Sequence, residues 1–391
     1  MNDSNGINVL VLPSWYPSRN NPVDSDYVQY QAGLLNKSGL KITVYFADLN
    51  IRNLLSGPLI IRSRCYHDLN DVSTNVLEGP FLPKNSTLSL RLWLKHYFDF
   101  VDKSISENRK FDVVHSHSYL GGYVAAQLKK KHGVPYLITE HYTGFVNGQI
   151  PSYHIPVAQE AFRNANRCFA VSEGFSRILS QQFNLPFSSL PNFIDTSLFQ
   201  ISDSEKEPFR FVFVGELIKR KQVDLMIRAL GQLVREKPNT RLAIVGEGPQ
   251  KSNLIALAKK LQLTDRIHFL GRLTQLEVTR EISISHSLIL PSRLETFGIV
   301  LIEALSCGVP VICFKNIGSD EIFDESHGIR IDAQNPEGLL GAMRKMIENH
   351  HVFDPLHLRS HVEQNFSRQS MTKSLKAIYS EIIEEHKRDS N

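Results

Sequence analysis

Cysteine is scarce in this chain, and no pair of cysteines has metal-binding spacing. The 391 residues include four, Cys65, Cys168, Cys307 and Cys313. Without a CxxC pair, neither a zinc site nor a disulfide framework is expected, and reduced, buried thiols are. Long apolar runs are also missing: none reaches the roughly 18 to 20 residues that span a bilayer. The polar start Met1–Asn5 leads straight into an apolar segment. With no basic region and no cleavage site there, no export signal is expected. Nor does one sign of charge dominate. Forty-four basic against 40 acidic residues give a net charge of +4, too little to argue for a nucleic-acid partner. The expectation is a soluble cytoplasmic protein, peripheral to a membrane at most.

What is present is ordinary globular composition, 42% hydrophobic and 21% charged, with room for two domains. Short apolar runs alternate with amphipathic segments. Ile7–Leu12, Lys41–Phe46, Asp112–His115, Tyr136–Thr139 and Cys168–Val171 read as strands, with helical patterns at Tyr27–Asn36 and Tyr119–Lys131. The second helix ends in Lys129-Lys130-Lys131 and Gly133, a basic C-terminus that complements the helix dipole. A second series runs through Phe211–Val214, Leu242–Val245, Ile267–Leu270, Leu288–Leu290 and Val311–Phe314. Such alternation predicts α/β architecture, two doubly wound parallel sheets covered on both faces. The break falls in the polar segment Gln200–Pro208. This divides the chain into residues 1–200, braced by a C-terminal helix at 369–387, and residues 201–368, with fraying expected from His386 on. Ligands of such sheets bind outside the carboxyl ends of the strands, so a cleft between the domains is the expected site.

The most informative segment places Glu295 and Glu303 on either side of a strand-to-helix junction. The helix is predicted to start near Ile299 and to end at Gly308 as a left-handed cap before Pro310. The amides of Phe297, Gly298, Ile299 and Val300 then lack intrahelical partners at the positive end of the dipole, a ready anion site. An acid on each side suits a ligand with phosphate in the middle and hydroxyls at both ends, as in a nucleotide sugar.

Other motifs admit two readings. Gly215-Glu216-Leu217-Ile218-Lys219-Arg220-Lys221 ends a strand at a glycine and brings three cations together. They suit a departing diphosphate, or form a solvated basic turn. Val245-Gly246-Glu247-Gly248-Pro249 allows close backbone approach to a ligand, or simply turns the chain. His115 and His117 share a strand face, but nothing nearby completes a metal site. His141, beside Glu140, is the better candidate for ligand contact, though a strand-end histidine is often structural. Asp24-Ser25-Asp26 fits a metal–diphosphate clamp, or the start of a helix, and capping is favoured. Leu90, Trp93, Leu94, Tyr97, Phe98 and Val101 form the apolar face of an amphipathic helix. That face suits its own sheet, with an interfacial role left open.

On these residues the chain resembles the retaining glycosyltransferases of the GT-B fold, family 4 (group 1). The resemblance is strongest from Phe211 to about Asp332, where Glu295-x7-Glu303 encloses Phe297-Gly298 and precedes Cys307-Gly308-Val309-Pro310. Phe269-Leu270-Gly271-Arg272, Leu290-Pro291-Ser292 and Pro191-Asn192-Phe193-Ile194-Asp195 also match. Pro13-Ser14-Trp15-Tyr16-Pro17 and Thr139-Glu140-His141 resemble a bacterial branch that builds capsule, exopolysaccharide or O-antigen. The resemblance implies two Rossmann-like domains facing a cleft. It implies a UDP- or GDP-sugar donor, a glycan or lipid-linked glycan acceptor at the inner face of the cytoplasmic membrane, and hexosyl transfer with retention and no obligatory metal. Glu303 would hold the ribose and Glu295 the donor sugar, while the amides of Phe297 to Val300 would hold the diphosphate. Lys221 would neutralise the leaving diphosphate, His141 would approach the sugar from the other domain, and Gly215, Arg220, Gly246 and Arg272 would surround the donor.

Two positions depart from the family pattern. Glu216 stands where arginine is usual and would repel a diphosphate unless it points away or Arg220 or Lys219 supplies the charge. Asp24-Ser25 replaces paired glycines. Glu216 motivates an alternative, a non-catalytic sugar-nucleotide-binding or scaffolding member of the same fold. A sugar-nucleotide epimerase shares the two-domain plan, but Glu295, Glu303 and Lys221 argue for transfer.

Overall fold

Val9 to Leu12, Val113, Val114 and Tyr136 to Ile138 are all at most 2% exposed. Strands buried on both faces cannot alternate polar and apolar residues, and that is why they read as continuous apolar runs. The computed structural model describes residues 6–18, 26–51, 53, 60–68, 71–107, 110–202 and 208–390. The chain divides into two units, Met1–Leu190 with Thr372–Asn391, and Pro191–Met371.

The first unit carries strands β1 (Asn8–Pro13), β2 (Lys41–Leu49), β3 (Arg62–His67), β4 (Ser73–Gly79), β5 (Val113–His117), β6 (Tyr136–Glu140), β7 (Arg167–Ala170) and β8 (Ser188–Ser189). Among the described residues they form one sheet in the order β3-β4-β2-β1-β5-β6-β7-β8. Neighbours are parallel except β3 and β4. Val9 of β1 pairs with both Ile42 and Val113, so the strand order turns at β1, the switch point of a doubly wound sheet. Helices α1 (Asp26–Lys37), α2 (Thr87–Ser106), α3 (Tyr119–His132), α4 (Ile155–Asn164) and α5 (Glu173–Phe183) link the strands. The apolar face of α2 is buried as a stripe of Leu90, Trp93, Leu94, Tyr97 and Val101, and the Tyr97 hydroxyl donates to the Tyr45 carbonyl on β2 at 2.6 Å. That face therefore packs on its own sheet. Gly133 closes α3 in the left-handed conformation, φ 74°.

The second unit has β9 (Phe209–Val214), β10 (Thr240–Val245), β11 (Ile267–Gly271), β12 (Ser287–Leu290), β13 (Val311–Phe314) and β14 (Gly328–Ile331), ordered β11-β10-β9-β12-β13-β14. All neighbours are parallel. Its switch point lies between β9 and β12. Helices α6 (Val223–Glu236), α7 (Lys251–Lys260), α8 (Gln275–Ser283), α9 (Ile299–Ser306), α10 (Ser319–Ile322), α11 (Pro336–Asn349) and α12 (Pro355–Asn365) complete it. Both units are thus parallel-sheet α/β domains of the expected class.

Several details differ from the sequence reading. The chain passes into the second unit at Pro191, ahead of residue 201. Here Ile194 bridges Ser367, and Arg359 donates to the carbonyls of Thr196 and Ser306 at 3.1 and 3.0 Å. The last helix, α13, runs over Arg368–Ser390, past the fraying expected at His386. Its part from Thr372 on belongs to the first unit, where Lys376 donates to the Ser38 carbonyl at 2.8 Å. Cys65 is exposed, unlike the other three cysteines, because it lies on the edge strand β3, whose partner pairs with it on one side only. Asp24 and Ser25 lie outside the described residues, and α1 begins at Asp26.

Candidate active site

Strands β9 and β12 are neighbours, so the loops leaving their carboxyl ends meet although 74 residues separate Lys221 from Glu295. After β9 the chain turns through Lys219–Lys221 and enters α6 at Gln222, itself left-handed with φ 49°. This aims Lys221 Nζ at Glu295 Oε1, 2.6 Å away, while Arg220 Nη1 lies 3.2 Å from Oε2. Arg220 also donates to the Leu294 carbonyl at 2.5 Å, and the Arg293 amide returns a bond to the Arg220 carbonyl at 2.9 Å. Burial alone would raise the Glu295 carboxyl, which is 8% exposed, but the charges of Lys221 and Arg220 outweigh it and hold the group below its ordinary value. Two cations against one carboxylate leave this cluster net positive.

Asn316, which the motif reading passed over, builds the loop from behind. Its side-chain carbonyl accepts from the amides of Glu295, Gly318 and Ser319 at 3.3, 3.1 and 3.2 Å, and its amide donates to the carbonyls of Ser292 and Phe314. A Cβ on Gly318 would stand 2.5 Å from the Phe297 nitrogen and 2.7 Å from the Glu295 carbonyl oxygen. Only glycine allows this approach. The signal available in sequence was the Asn-x-Gly-Ser run after β13, a turn composition.

Helix α9 starts at Ile299 and Gly308 follows its end with φ 67°, as the sequence predicts. Gly298 precedes it in the left-handed region, φ 92°. Among the described residues the amides of Phe297, Gly298, Ile299 and Val300 have no hydrogen-bond acceptor. Glu303 sits in α9, 9% exposed, and accepts from Gln275 Nε2 at 3.1 Å. The structure therefore brings Lys221, Arg220, Glu295 and the amides of Phe297 to Val300 to one end of the second sheet, with Glu303 on the adjoining helix.

The remaining candidates of this unit have different surroundings. A Cβ on Gly246 would lie 1.9 Å from the Gly215 carbonyl oxygen. The close backbone approach at Gly246 is thus to the neighbouring loop, whose Gly215 amide bonds the Val245 carbonyl at 3.0 Å. Glu216 is exposed, and its carboxylate makes no ion pair or side-chain hydrogen bond among the described residues. Arg272, also exposed, follows β11 without such a partner among the described residues.

In the first unit, His141 follows β6. Its amide donates to the Glu140 carboxylate at 2.9 Å and to the Ser118 hydroxyl at 3.3 Å. Glu140 also accepts from the amides of Tyr119 and Tyr142 at 3.0 and 2.8 Å, joining the start of α3 to the end of β6. Burial pushes the Glu140 carboxyl up to about 7, against the Ser118 hydroxyl and these three amides, which lower it. His115 and His117 bond to Tyr379, Thr139 and His141. Among the described residues no group of three or more His, Cys, Asp or Glu side chains is arranged to hold a metal ion.

This arrangement has known counterparts. Residues 27–198 match the family described as Glycosyltransferase Family 4, and residues 195–366 the family described as Glycosyl transferases group 1. The chain belongs to the group 1/family 4 glycosyltransferases and has their GT-B fold. It is 28% identical over 251 residues to the glycogen synthase of Mycobacterium tuberculosis (strain ATCC 25618 / H37Rv), covering 61% of this chain. The match spans only 60% of that relative's length. Sucrose-phosphate synthase from Thermosynechococcus elongatus superimposes with a TM-score of 0.78 at 18% identity, covering 96% of this chain and 99% of that one. Anabaena Alr3699/HepE in complex with UDP and glucose superimposes at 0.74 with 16% identity, covering 96% and 100%. At such identities these superpositions establish the fold. No helix among the described residues is long and apolar enough to cross a membrane.

Proposed function

We propose that this protein is a retaining glycosyltransferase moving a hexosyl group from a UDP- or GDP-sugar to a glycan or lipid-linked glycan. The proposed setting is bacterial surface-polysaccharide synthesis, at the inner face of the cytoplasmic membrane and without an obligatory metal. The observation that carries the reading is the buried Glu295 held between Lys221 and Arg220, next to four unpartnered amides. A diphosphate seated on those amides would meet a net positive cluster. The cations would then offset charge as it develops on the leaving group, the point at which fixed charge lowers a barrier. Glu303, one helical turn and more into α9, is within the same end of the sheet as a carboxylate able to accept from ribose hydroxyls. Glu216, exposed and without an ion pair or side-chain hydrogen bond among the described residues, is not paired with Lys221 or Arg220 and so leaves their charge available to a diphosphate. The relative solved with UDP and glucose makes UDP the first nucleotide to test.

Thermal unfolding with UDP, GDP, ADP and their sugars tests the binding half. A ligand at about one hundred times its Kd stabilises the native state by about 2.7 kcal/mol. Turnover of the stabilising sugar nucleotide tests the transfer half. Full activity of Lys221→Ala, or inversion at the anomeric carbon of the product, would sink the assignment. Loss of activity in excess chelator would sink its metal-free part.

A further inference from the structure

Three histidine rings stand in a row at the carboxyl end of the first sheet. His115 and His117, two residues apart on β5, project to one side of the strand. Their rings stack with centroids 4.5 Å apart and planes 23° apart. The His141 ring lies edge to edge with His117 and nearly in its plane, with centroids 5.2 Å and planes 21° apart. His117 thus has one imidazole on its face and another at its edge.

The far end of the row is immobilised. His115 is 3% exposed, and both its nitrogens are engaged, Nδ1 with the Tyr379 hydroxyl at 2.7 Å and Nε2 with the Thr139 hydroxyl at 2.8 Å. Tyr379 comes from α13, 264 residues further along the chain. At the near end His117 Nδ1 lies 3.0 Å from His141 Nε2. A hydrogen bond between two neutral imidazoles has a single donor, so their tautomers are linked. If His117 carries its proton on Nδ1, His141 carries its own on Nδ1. If His141 carries it on Nε2, His117 does the same. Burial lowers the proton affinity of both rings, His117 to about 4, so the neutral pair is the relevant one at neutral pH.

We infer that His117 is a positioning residue for His141, holding its ring orientation and linking the nitrogen that carries its proton to the tautomer of His117. The role in catalysis rests on reading His141 as a sugar-contacting residue, but the lock itself does not. Sequence spacing shows only that His115 and His117 share a face. The contact with His141 arises because β5 and β6 are neighbours, with His117 paired to Thr139.

Histidine-selective nitrogen-15 labelling of the full chain reads the tautomer directly at neutral pH. In the wild type the two rings are expected to show linked tautomers, a protonated His117 Nδ1 going with a protonated His141 Nδ1 and a protonated His141 Nε2 with a protonated His117 Nε2. His117→Phe keeps a ring against His115 and removes the bond, and should shift the His141 nitrogens to a different tautomer population. His117→Asn places an amide near the Nδ1 position and should restore them. If the Phe variant does not fold, His117→Gln, whose amide reaches past that position, serves instead. Unchanged His141 shifts in a folded Phe or Gln variant overturn the lock. With a donor that the wild type turns over, His117→Phe should lower kcat about tenfold, equivalent to about 1.4 kcal/mol, with KM unchanged. An unchanged kcat despite a changed tautomer overturns the positioning role. A wild type that turns over no sugar nucleotide contradicts the proposed function and leaves the spectroscopic result standing.

Discussion

Lys221 and Glu295 form an ion pair of 2.6 Å between loops that leave adjoining strands of the second unit. Both side chains are at most 15% exposed. In such surroundings removing one partner leaves a charge that neither water nor protein fully compensates, and the loss exceeds that of a surface pair. Lys221→Ala should therefore destabilise the second unit as well as stop transfer. Because Arg220 still faces the carboxylate, the expected cost is about 3 kcal/mol, the low end for a broken buried pair. Urea unfolding compared between wild type, Lys221→Ala and Lys221→Ala with Glu295→Gln measures it. The double variant should recover part of the stability without recovering activity, and a double variant less stable than Lys221→Ala contradicts the account.

The same pair dictates a pH dependence. A carboxyl with a depressed folded value stabilises above its unfolded value, and that contribution is lost as pH falls through the folded value. For Glu295 the contribution is full above the ordinary 4.5 and disappears below it. When Arg220 and Lys221 are both replaced by Met, burial remains as the leading influence and the carboxyl should rise above 4.5. The sign then reverses, and this variant should lose stability as pH rises past that value. Denaturant titrations across the acid range decide the matter, and parallel curves for the two proteins would contradict it.

Asn316 should be as important to this site as its charged members. Its side chain joins the end of β13, the start of α10 and the loop from Ser292 to Glu295 through five hydrogen bonds. Asn316→Ala orphans several buried partners at about 1 kcal/mol or more each, with incomplete additivity. A loss of about 2 to 3 kcal/mol in unfolding free energy is expected, together with loss of the nucleotide-induced thermal shift. A variant that keeps both would show that the loop holds itself.

Gly246 should tolerate no side chain. A methyl group there would stand 1.9 Å from the Gly215 carbonyl oxygen, on a residue with φ 139°. Gly246→Ala should cost more than about 2 kcal/mol, since backbone rather than a flexible side chain must move. Calorimetric melting of the variant checks this, and a change within about 0.5 kcal/mol, the usual surface value, would refute it.

Glu303→Gln should weaken nucleotide binding while leaving the fold intact. The amide keeps the shape but loses a charged acceptor, worth about 1.5 to 3 kcal/mol, or roughly a ten- to hundredfold rise in Kd. Isothermal titration with the nucleotide chosen by the thermal screen tests it. The corresponding 2′,3′-dideoxynucleotide should not discriminate between variant and wild type, and a discrimination equal to the natural nucleotide's would place Glu303 elsewhere than on the ribose.

How much of this was legible in the chain follows from where each signal resides. The central strands of both sheets were legible because burial on both faces demands continuous apolar runs, as in Phe211–Val214 and Val311–Phe314. Strands β3 and β4 were not. Arg62–His67 is an exposed edge that needs no apolar residues, and Ser73–Gly79 mixes polar groups into its buried positions. Helix ends were legible wherever a glycine such as Gly133 or Gly308 closed them.

Local sequence by itself determined the doubly wound α/β class, the limits of α9, and the two acids flanking a row of open amides, because these depend on periodicity, caps and the first turn of one helix. Tertiary structure alone decided which side chains face one another. Strand order brings Lys221 to Glu295, puts Asn316 behind that loop, and sets His117 between the face of His115 and the edge of His141, while α13 returns from the chain's end to hold His115 through Tyr379. Parallel sheets join strands that are distant in sequence through crossover connections, so the residues meeting at their carboxyl ends carry no common spacing that could be read in advance.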